Sequence, residues 1–495
     1  MSTSGESDTI ATDSPAVTTE TSETAETRAT AETAEKRPSA STNRRQPFGA
    51  GFLDTISTGW ADRPDLAPPQ REQAVHAAAR REKLSAAFPG KRLVVPAGGL
   101  MQRSNDTDHP FRAHSAFSHL TGWASDTEPD SVLFFDPRDE GGHDVTLFFR
   151  ERADRTTSEF YADASVGEFW IGPRPALAGV AGELGVETAH IDDFGSTDED
   201  LVVGDDEALT RAVSELRLVK DEYEIAQMRL AVDTTAQGFD DIIRELPRII
   251  EHPRGERIVE GVFHQRARSD GNTVGYDTIA ASGPHACYLH WTRNDGAVVP
   301  GDLILIDAGV EVDSLYTADI TRTLPVSGRF TPVQRKVYEA VREAADAAFA
   351  VARPGVKFRS VHEAAMKVIA ARVAEWGLLP VTAEEALDAE HGGQHRRYMV
   401  HGTSHHLGID VHDCAQARRE MYYDGELEPG MVFTIEPGLY FQIGDLTVPE
   451  ELRGIGVRIE DDVLVTADGV ENLSAAIPRS ADEVEAWMLR LGVGA

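Results

Sequence analysis

Two segments of this chain repeat one pattern 129 positions apart, and each delivers a carboxylate at the same place. The first reads Pro300-Gly301-Asp302-Leu303-Ile304-Leu305-Ile306-Asp307-Ala308-Gly309, the second Pro429-Gly430-Met431-Val432-Phe433-Thr434-Ile435-Glu436-Pro437-Gly438. In both, a Pro-Gly turn leads into a short apolar run, an acid follows seven positions after the proline, and a glycine stands two further on. A turn feeding such a run is the pattern of a buried strand. An acid on that strand must be paired, hydrogen-bonded or bound to metal, because an isolated buried charge is very costly. Two matched strands therefore imply a duplicated half-domain with a charged centre at the junction, where a metal would sit.

Neighbouring residues supply the rest of a metal site. Asp319 follows Asp307 in Ala318-Asp319-Ile320-Thr321-Arg322-Thr323, and Glu460 follows Glu436 in Gly456-Val457-Arg458-Ile459-Glu460-Asp461-Asp462. Between them lies a histidine-rich segment with His401, His405, His406, His412 and Asp413. Four carboxylates and an imidazole suit Mn²⁺, Co²⁺, Fe²⁺ or Zn²⁺ rather than copper or a thiolate-bound ion. Two divalent cations about 3.5–4 Å apart would offset the converging charge. Strand periodicity places Arg458 on the face of Glu460, where a guanidinium can hold site carboxylates by charge-assisted bonds; the bland reading is a plain structural ion pair. His401 and His405, four apart, could share a helix face, but Gly402 and Gly408 bracket them and suit a loop equally. They do not form the His-Glu-x-x-His motif. His109, His143 and His190 read as structural or exposed, and His406 is not taken as a ligand because sequence neighbours point differently.

The ordered set of motifs resembles the pita-bread metallopeptidases, and within them the Xaa-Pro aminopeptidases (aminopeptidase P). The matching pieces are Tyr288-Leu289-His290-Trp291-Thr292, Ile306–Gly309, Asp319–Thr323, His401–His405 through Asp410–Asp413, Glu436-Pro437-Gly438 and Gly456–Asp462. A weaker match extends upstream through Phe117–Gly122 and Glu168–Arg174. The resemblance implies that Asp307 binds one metal and His405 with Glu436 the other, while Asp319 and Glu460 bridge both. It implies a hydroxide between two divalent ions, Mn²⁺ by family expectation, as nucleophile, with Glu436 as general base and acid. His290, His401 and His412 match the family's non-ligand histidines, which contact substrate and stabilise the tetrahedral intermediate. Asp307 is the implied partner of the substrate's free amine.

Behind these residues, the elements that must hold them divide the chain. Residues 1–50, rich in Ser, Thr, Ala and Glu, cannot bury enough surface to offset their ordering entropy and are expected to be disordered. Helix-like and strand-like segments alternate over 65–205: Arg71 to Phe88 helical, then extended runs at 92–96, 131–135 and 145–149. This suits a smaller α/β domain. Acid-rich Asp192–Asp206 reads as a linker. One long helix is expected from near Glu207, with Leu216, Val219, Ile225, Met228 and Ala231 on its apolar face, and two more over 332–352 and 361–376. Residues 207–485 would then form the catalytic domain, a pseudo-duplicated antiparallel sheet with outer helices, giving an α+β protein.

A formal charge of −35 argues against binding a phosphate backbone. Cys287 and Cys414 are expected to be free thiols in a reducing cytoplasm. Arg44-Arg45 is followed by a segment too short and interrupted for a signal-peptide core, and no run of 18 apolar residues predicts a membrane span. The leading expectation is therefore a cytoplasmic peptidase, in family fashion a dimer or tetramer, that removes the residue preceding proline from peptides. An Xaa-Pro dipeptidase is the nearest alternative. A methionine aminopeptidase, which generally lacks the N-terminal domain, and a creatinase-like or non-catalytic binding protein that has lost ligands fit less well.

Overall fold

The Pro-Gly turns form where glycine is required. In the computed structural model Gly301 has φ 99° and Gly430 φ 94°, a left-handed region open to glycine and disfavoured for other residues. The strands Leu303–Ala308 and Val432–Ile435 follow, every residue buried. Each is central or edge to a three-stranded antiparallel sheet. The first sheet runs Ile320–Pro325, Leu303–Ala308, Ile279–Ser282; the second runs Val432–Ile435, Asp461–Val465, Val470–Asn472. A further pair, Gly438–Tyr440 with Gly456–Arg458, lies between the two acid-bearing segments of the second half. Arg322, fully buried, ties the halves together: it pairs with Asp461 at 2.6 Å and donates to the carbonyl of Glu460.

The structure describes residues 48–64, 68–105 and 107–494, so the expectation for the acidic tail falls outside it up to residue 47. At its end, Ala50–Ile56 is helical. Downstream, a five-stranded sheet runs in the order Glu187–His190, His143–Phe149, Val132–Pro137, Leu93–Pro96, Leu201–Val202. Leu93, Val95, Leu133, Phe135, Leu147 and Phe149 point into a core shared with Phe117, Leu120 and Trp123. Leu201–Val202 pairs in parallel with Leu93–Val94, so part of the stretch read as linker is an edge strand. His143 is structural, held between Ser85 Oγ and the Lys91 carbonyl at 2.7 Å each.

A second apolar core begins at Leu218 and runs to Val493. The helix expected to run unbroken from Glu207 is two helices, Glu207–Glu215 and Glu222–Ile250. Between them Val219 bridges to Met431 and the Lys220 N–H donates to the Gly430 carbonyl, so the chain pairs with the second Pro-Gly turn. Asp221 then caps the new helix in a reciprocal box with Glu224, which satisfies two orphan N–H groups. Pro332–Val351, opened by Thr331 and Gln334 in the same way, packs against Arg359–Glu375, and both lie where the periodicity put them. Among the described residues no helix is long and apolar enough to cross a membrane.

Candidate metal centre

All nine residues singled out from the sequence line one cavity of about 690 Å³: Asp307, Asp319, His405, Glu436, Glu460, His290, His401, His412 and Arg458. Asp307 lies on its strand; Asp319, Glu436 and Glu460 lie one residue beyond the ends of theirs, at the junction of the two halves. The histidine segment is a loop. Its His405 Nε2 faces Asp319 Oδ2 at 3.2 Å, Glu436 Oε1 at 3.7 Å and Glu460 Oε1 at 3.9 Å. Asp319, His405 and Glu460 offer ligand atoms all within 4.8 Å of one another. The His405 Nδ1 lies 3.2 Å from the His406 carbonyl. A proton on Nδ1 satisfies that acceptor and leaves the Nε2 lone pair toward the acids, the tautomer a metal ligand needs.

The cluster is electrically incomplete without cations. Burial, reinforced by Asp319 and Asp307 against His405 and Arg458, pushes the Glu436 carboxyl up to about 8. Burial and the neighbouring acids Asp319, Glu436 and Asp307 hold Glu460 well above the usual carboxylate range, and its Oε1 has no hydrogen-bond partner among the described residues. Asp319 is likewise raised, first by burial. Burial opposes charge on His405, but its bond to Asp319 and the field of Glu436 outweigh that and lift it to about 9. Crowded buried acids whose charged forms are disfavoured in this way, one with an orphaned oxygen, fit divalent cations of the hard-to-borderline class.

Several residues that support the site escaped the sequence reading. Tyr276 Oη donates to Asp307 Oδ1 at 2.7 Å and lies 2.5 Å from Asp319 Oδ1. Thr321 Oγ1 donates to Glu460 Oε2 at 2.7 Å and accepts from Arg458 Nε at 3.0 Å. Arg458 also pairs with Asp307 Oδ2 and reaches the Tyr440 hydroxyl at 3.1 Å. That hydroxyl meets His401 Nε2 at 2.7 Å, while His401 Nδ1 lies 2.6 Å from the Gly402 carbonyl. Burial and then Arg458 hold His401 down to about 3, so its imidazole is neutral at working pH. The His412 ring lies 4.2 Å from that of His405.

The loop carrying His405 and His412 is moored on its far side. Asp413 is buried between Arg217 at 2.8 Å and Lys220 at 3.5 Å. Asp410 accepts from Ser115 at 2.5 Å and Arg112 at 3.4 Å; Arg112 also takes Glu311 at 2.6 Å and the Ile409 carbonyl at 2.7 Å.

Comparison with known proteins agrees with this architecture. Residues 226–467 match the family described as metallopeptidase family M24, and residues 77–209 match the aminopeptidase P N-terminal domain. The chain belongs to metallopeptidase family M24 and is an enzyme of the metal-dependent peptidase class, with pita-bread and aminopeptidase P N-terminal folds. Within that class its relatives are specific. It is 53% identical over 459 residues to Xaa-Pro aminopeptidase 2 of Streptomyces coelicolor, covering 88% of this chain and 95% of that one. It is 50% identical over 463 residues to Xaa-Pro aminopeptidase 1 of the same organism, covering 88% and 92%. The solved structure of Pseudomonas aeruginosa aminopeptidase PepP superposes with a TM-score of 0.73 at 32% identity, over 85% of this chain and 99% of that one.

Proposed function

We propose that this chain is a metallo-aminopeptidase that releases the N-terminal residue from peptides with proline in second position. The observation that carries the reading is the convergence of four carboxylates and His405 Nε2 on one cavity, in a chain whose relatives are Xaa-Pro aminopeptidases. Asp307, Asp319, His405, Glu436 and Glu460 would hold two divalent ions, with Mn²⁺ the first choice. Such ions supply compensation for the acids and lower the pKa of water in the site.

The chain's own groups do the rest. The Glu436 carboxylate, which lines the cavity beside the ions it would help hold, takes and returns a proton as general base and acid. His290 and His412 face the cavity where substrate lies and stabilise developing charge, while neutral His401, its two ring nitrogens on the Gly402 carbonyl and the Tyr440 hydroxyl, lines the place where substrate would make contact. Arg458 holds Asp307 and the Tyr440 hydroxyl in register. An acid-lined pocket attracts a free N-terminal amine. Residues 65–205 and 207–485 are taken as the two domains; the apolar core changes only between Leu216 and Leu218, so the helix Glu207–Glu215 packs with the first of them. The buried free thiols of Cys287 and Cys414 suit a cytoplasmic enzyme; a homodimer or homotetramer is the assembly the resemblance implies.

Incubation of the Mn²⁺-loaded protein with an Xaa-Pro-Xaa tripeptide, its Ala-substituted and N-acetylated forms and an Xaa-Pro dipeptide, followed by mass spectrometry, tests this. Release of the first residue from the unmodified tripeptide alone, or much faster than from the Ala form, is expected. Equal rates for the Pro and Ala peptides, or brisk cleavage of the acetylated one, would overturn the reading. Cleavage of the dipeptide alone would make the enzyme a dipeptidase.

A further inference from the structure

His290 stands on a loop that leaves the strand Ile279–Ser282 and returns at the Pro300-Gly301 turn. Its imidazole makes no hydrogen bond or ion pair with any described residue, so its place is set by the loop backbone. One carboxylate grips that backbone on both sides. Glu256, in the first turn of the helix Gly255–Asp270, is 0% exposed. Its Oε1 accepts from the Ser282 N–H at 2.8 Å and lies 2.7 Å from His285 Nδ1. Its Oε2 accepts from the Trp291 indole at 2.9 Å and the Gly296 N–H at 2.6 Å.

The chemistry demands a carboxylate at this position. All four partners offer a proton, the imidazole by carrying its hydrogen on Nδ1, and both oxygens must therefore accept. An amide would turn an NH₂ group toward two donors. The loop is shaped to the acid as well: a Cβ on Gly296 would lie 2.8 Å from Glu256 Oε2 and 2.7 Å from the His285 ring. His285 stacks on Trp291 with ring centres 3.9 Å apart, and Tyr288 also stacks with Trp291 at 5.6 Å. The pinned positions 282, 285, 291 and 296 bracket His290.

We propose that Glu256 is a positioning residue for the reaction, fixing the 283–296 loop so that His290 meets the substrate; this rests on the substrate role proposed above for His290. Among the described residues Glu256 makes no hydrogen bond or ion pair with the five assigned ligands, and its effect passes through the loop.

The full-length Mn²⁺-loaded enzyme carrying Glu256→Gln, His290→Ala or both tests the proposal by a double-mutant cycle on an Xaa-Pro tripeptide. Glu256→Gln is expected to lower kcat about tenfold or more at unchanged metal content, since small misplacements of a catalytic group are costly. In the His290→Ala background it should cost less than about twofold, because the two changes remove one interaction. Hydrogen–deuterium exchange over 283–296 should rise in Glu256→Gln. Additive effects in the cycle, or unchanged exchange, would overturn the positioning role. A fully active His290→Ala would overturn instead the role given to His290, while the exchange measurement still reports on the loop. Should Glu256→Gln fail to fold, Trp291→Phe removes one of the four donors alone and must show the same coupling in weaker form.

Discussion

Arg458 and Asp307 form a buried ion pair, one guanidinium nitrogen on one carboxylate oxygen, while Tyr276 holds the other oxygen. The same guanidinium reaches Thr321 and the Tyr440 hydroxyl. One residue thus joins an acid of the first half, the hydroxyl that serves Glu460 and the hydroxyl that serves His401. Removing it strands Asp307 in a low-dielectric site. Arg458→Ala should destabilise the metal-free protein by about 3–5 kcal/mol, the cost of leaving one partner of a buried pair. The loss should shrink in Mn²⁺, since cations then offset the stranded acid. Urea midpoints with and without metal check this; equal losses in both states would contradict it.

Asp319 and Glu460 share one imidazole partner with Glu436. If the five ligands hold two ions through these two acids, chelation abolishes activity and Mn²⁺ restores it. Asp319→Ala or Glu460→Ala should lower the bound metal from about two per chain toward zero, since each bridging acid serves both ions. Metal analysis after gel filtration decides; near-normal content in Asp319→Ala would refute the bridging assignment.

The metal-free protein should lose stability as pH rises. Glu436 is lifted from 4.5 to about 8, and His405 from 6.5 to about 9. Both changes make the folded form bind more protons than the unfolded chain, so stability falls with rising pH from about 4.5 toward 9. The limiting slope is about 1.4 kcal/mol per pH unit for each proton. Metal takes the place of those protons and binds more tightly as pH rises. The gap in Tm between Mn²⁺-loaded and chelated protein should therefore widen between pH 5 and 8. A constant gap would show that these groups do not titrate with the site.

His290 and His412 face the cavity without standing among the five assigned ligands. Changing either to Ala should leave metal content near wild type and lower kcat by about 10²–10³, the usual effect of deleting a transition-state donor. Metal loss in proportion to activity would make the residue a ligand instead.

The parts of this architecture that depend on local spacing were readable in advance. Both Pro-Gly turns and the strands after them follow from short patterns, which set Asp307 on its strand and Glu436 just beyond its own; the histidines of the cavity are legible only through the family resemblance of their motifs. Tyr276, Thr321 and Tyr440 were not readable: their partners lie 31, 139 and 39 positions away, and no local periodicity marks a hydroxyl that must cross such a gap. The break at 216–221 had a signal, the Asp221-x-x-Glu224 box, but continuous apolar periodicity masked it. The edge strand Leu201–Val202 is two residues long within an acidic stretch, and only its parallel partner makes it a strand.

The grip of Ser115 and Arg112 on Asp410, two residues before His412, has a consequence for the order in which the molecule assembles. Partners 295 positions apart meet late, because the entropy of closing so large a loop is lost before the contact forms. During synthesis at about 5–20 residues per second, the Ser115 side of this clasp emerges roughly 15–60 s before Asp410 does. The Ser115 and Arg112 side therefore exists before its partner, and the histidine loop can be clasped to it only after Asp410 has been made. A chain cut short before Asp410 lacks this clasp and also Glu436 and Glu460, which come later still, so the pocket cannot be assembled until the second half has been made.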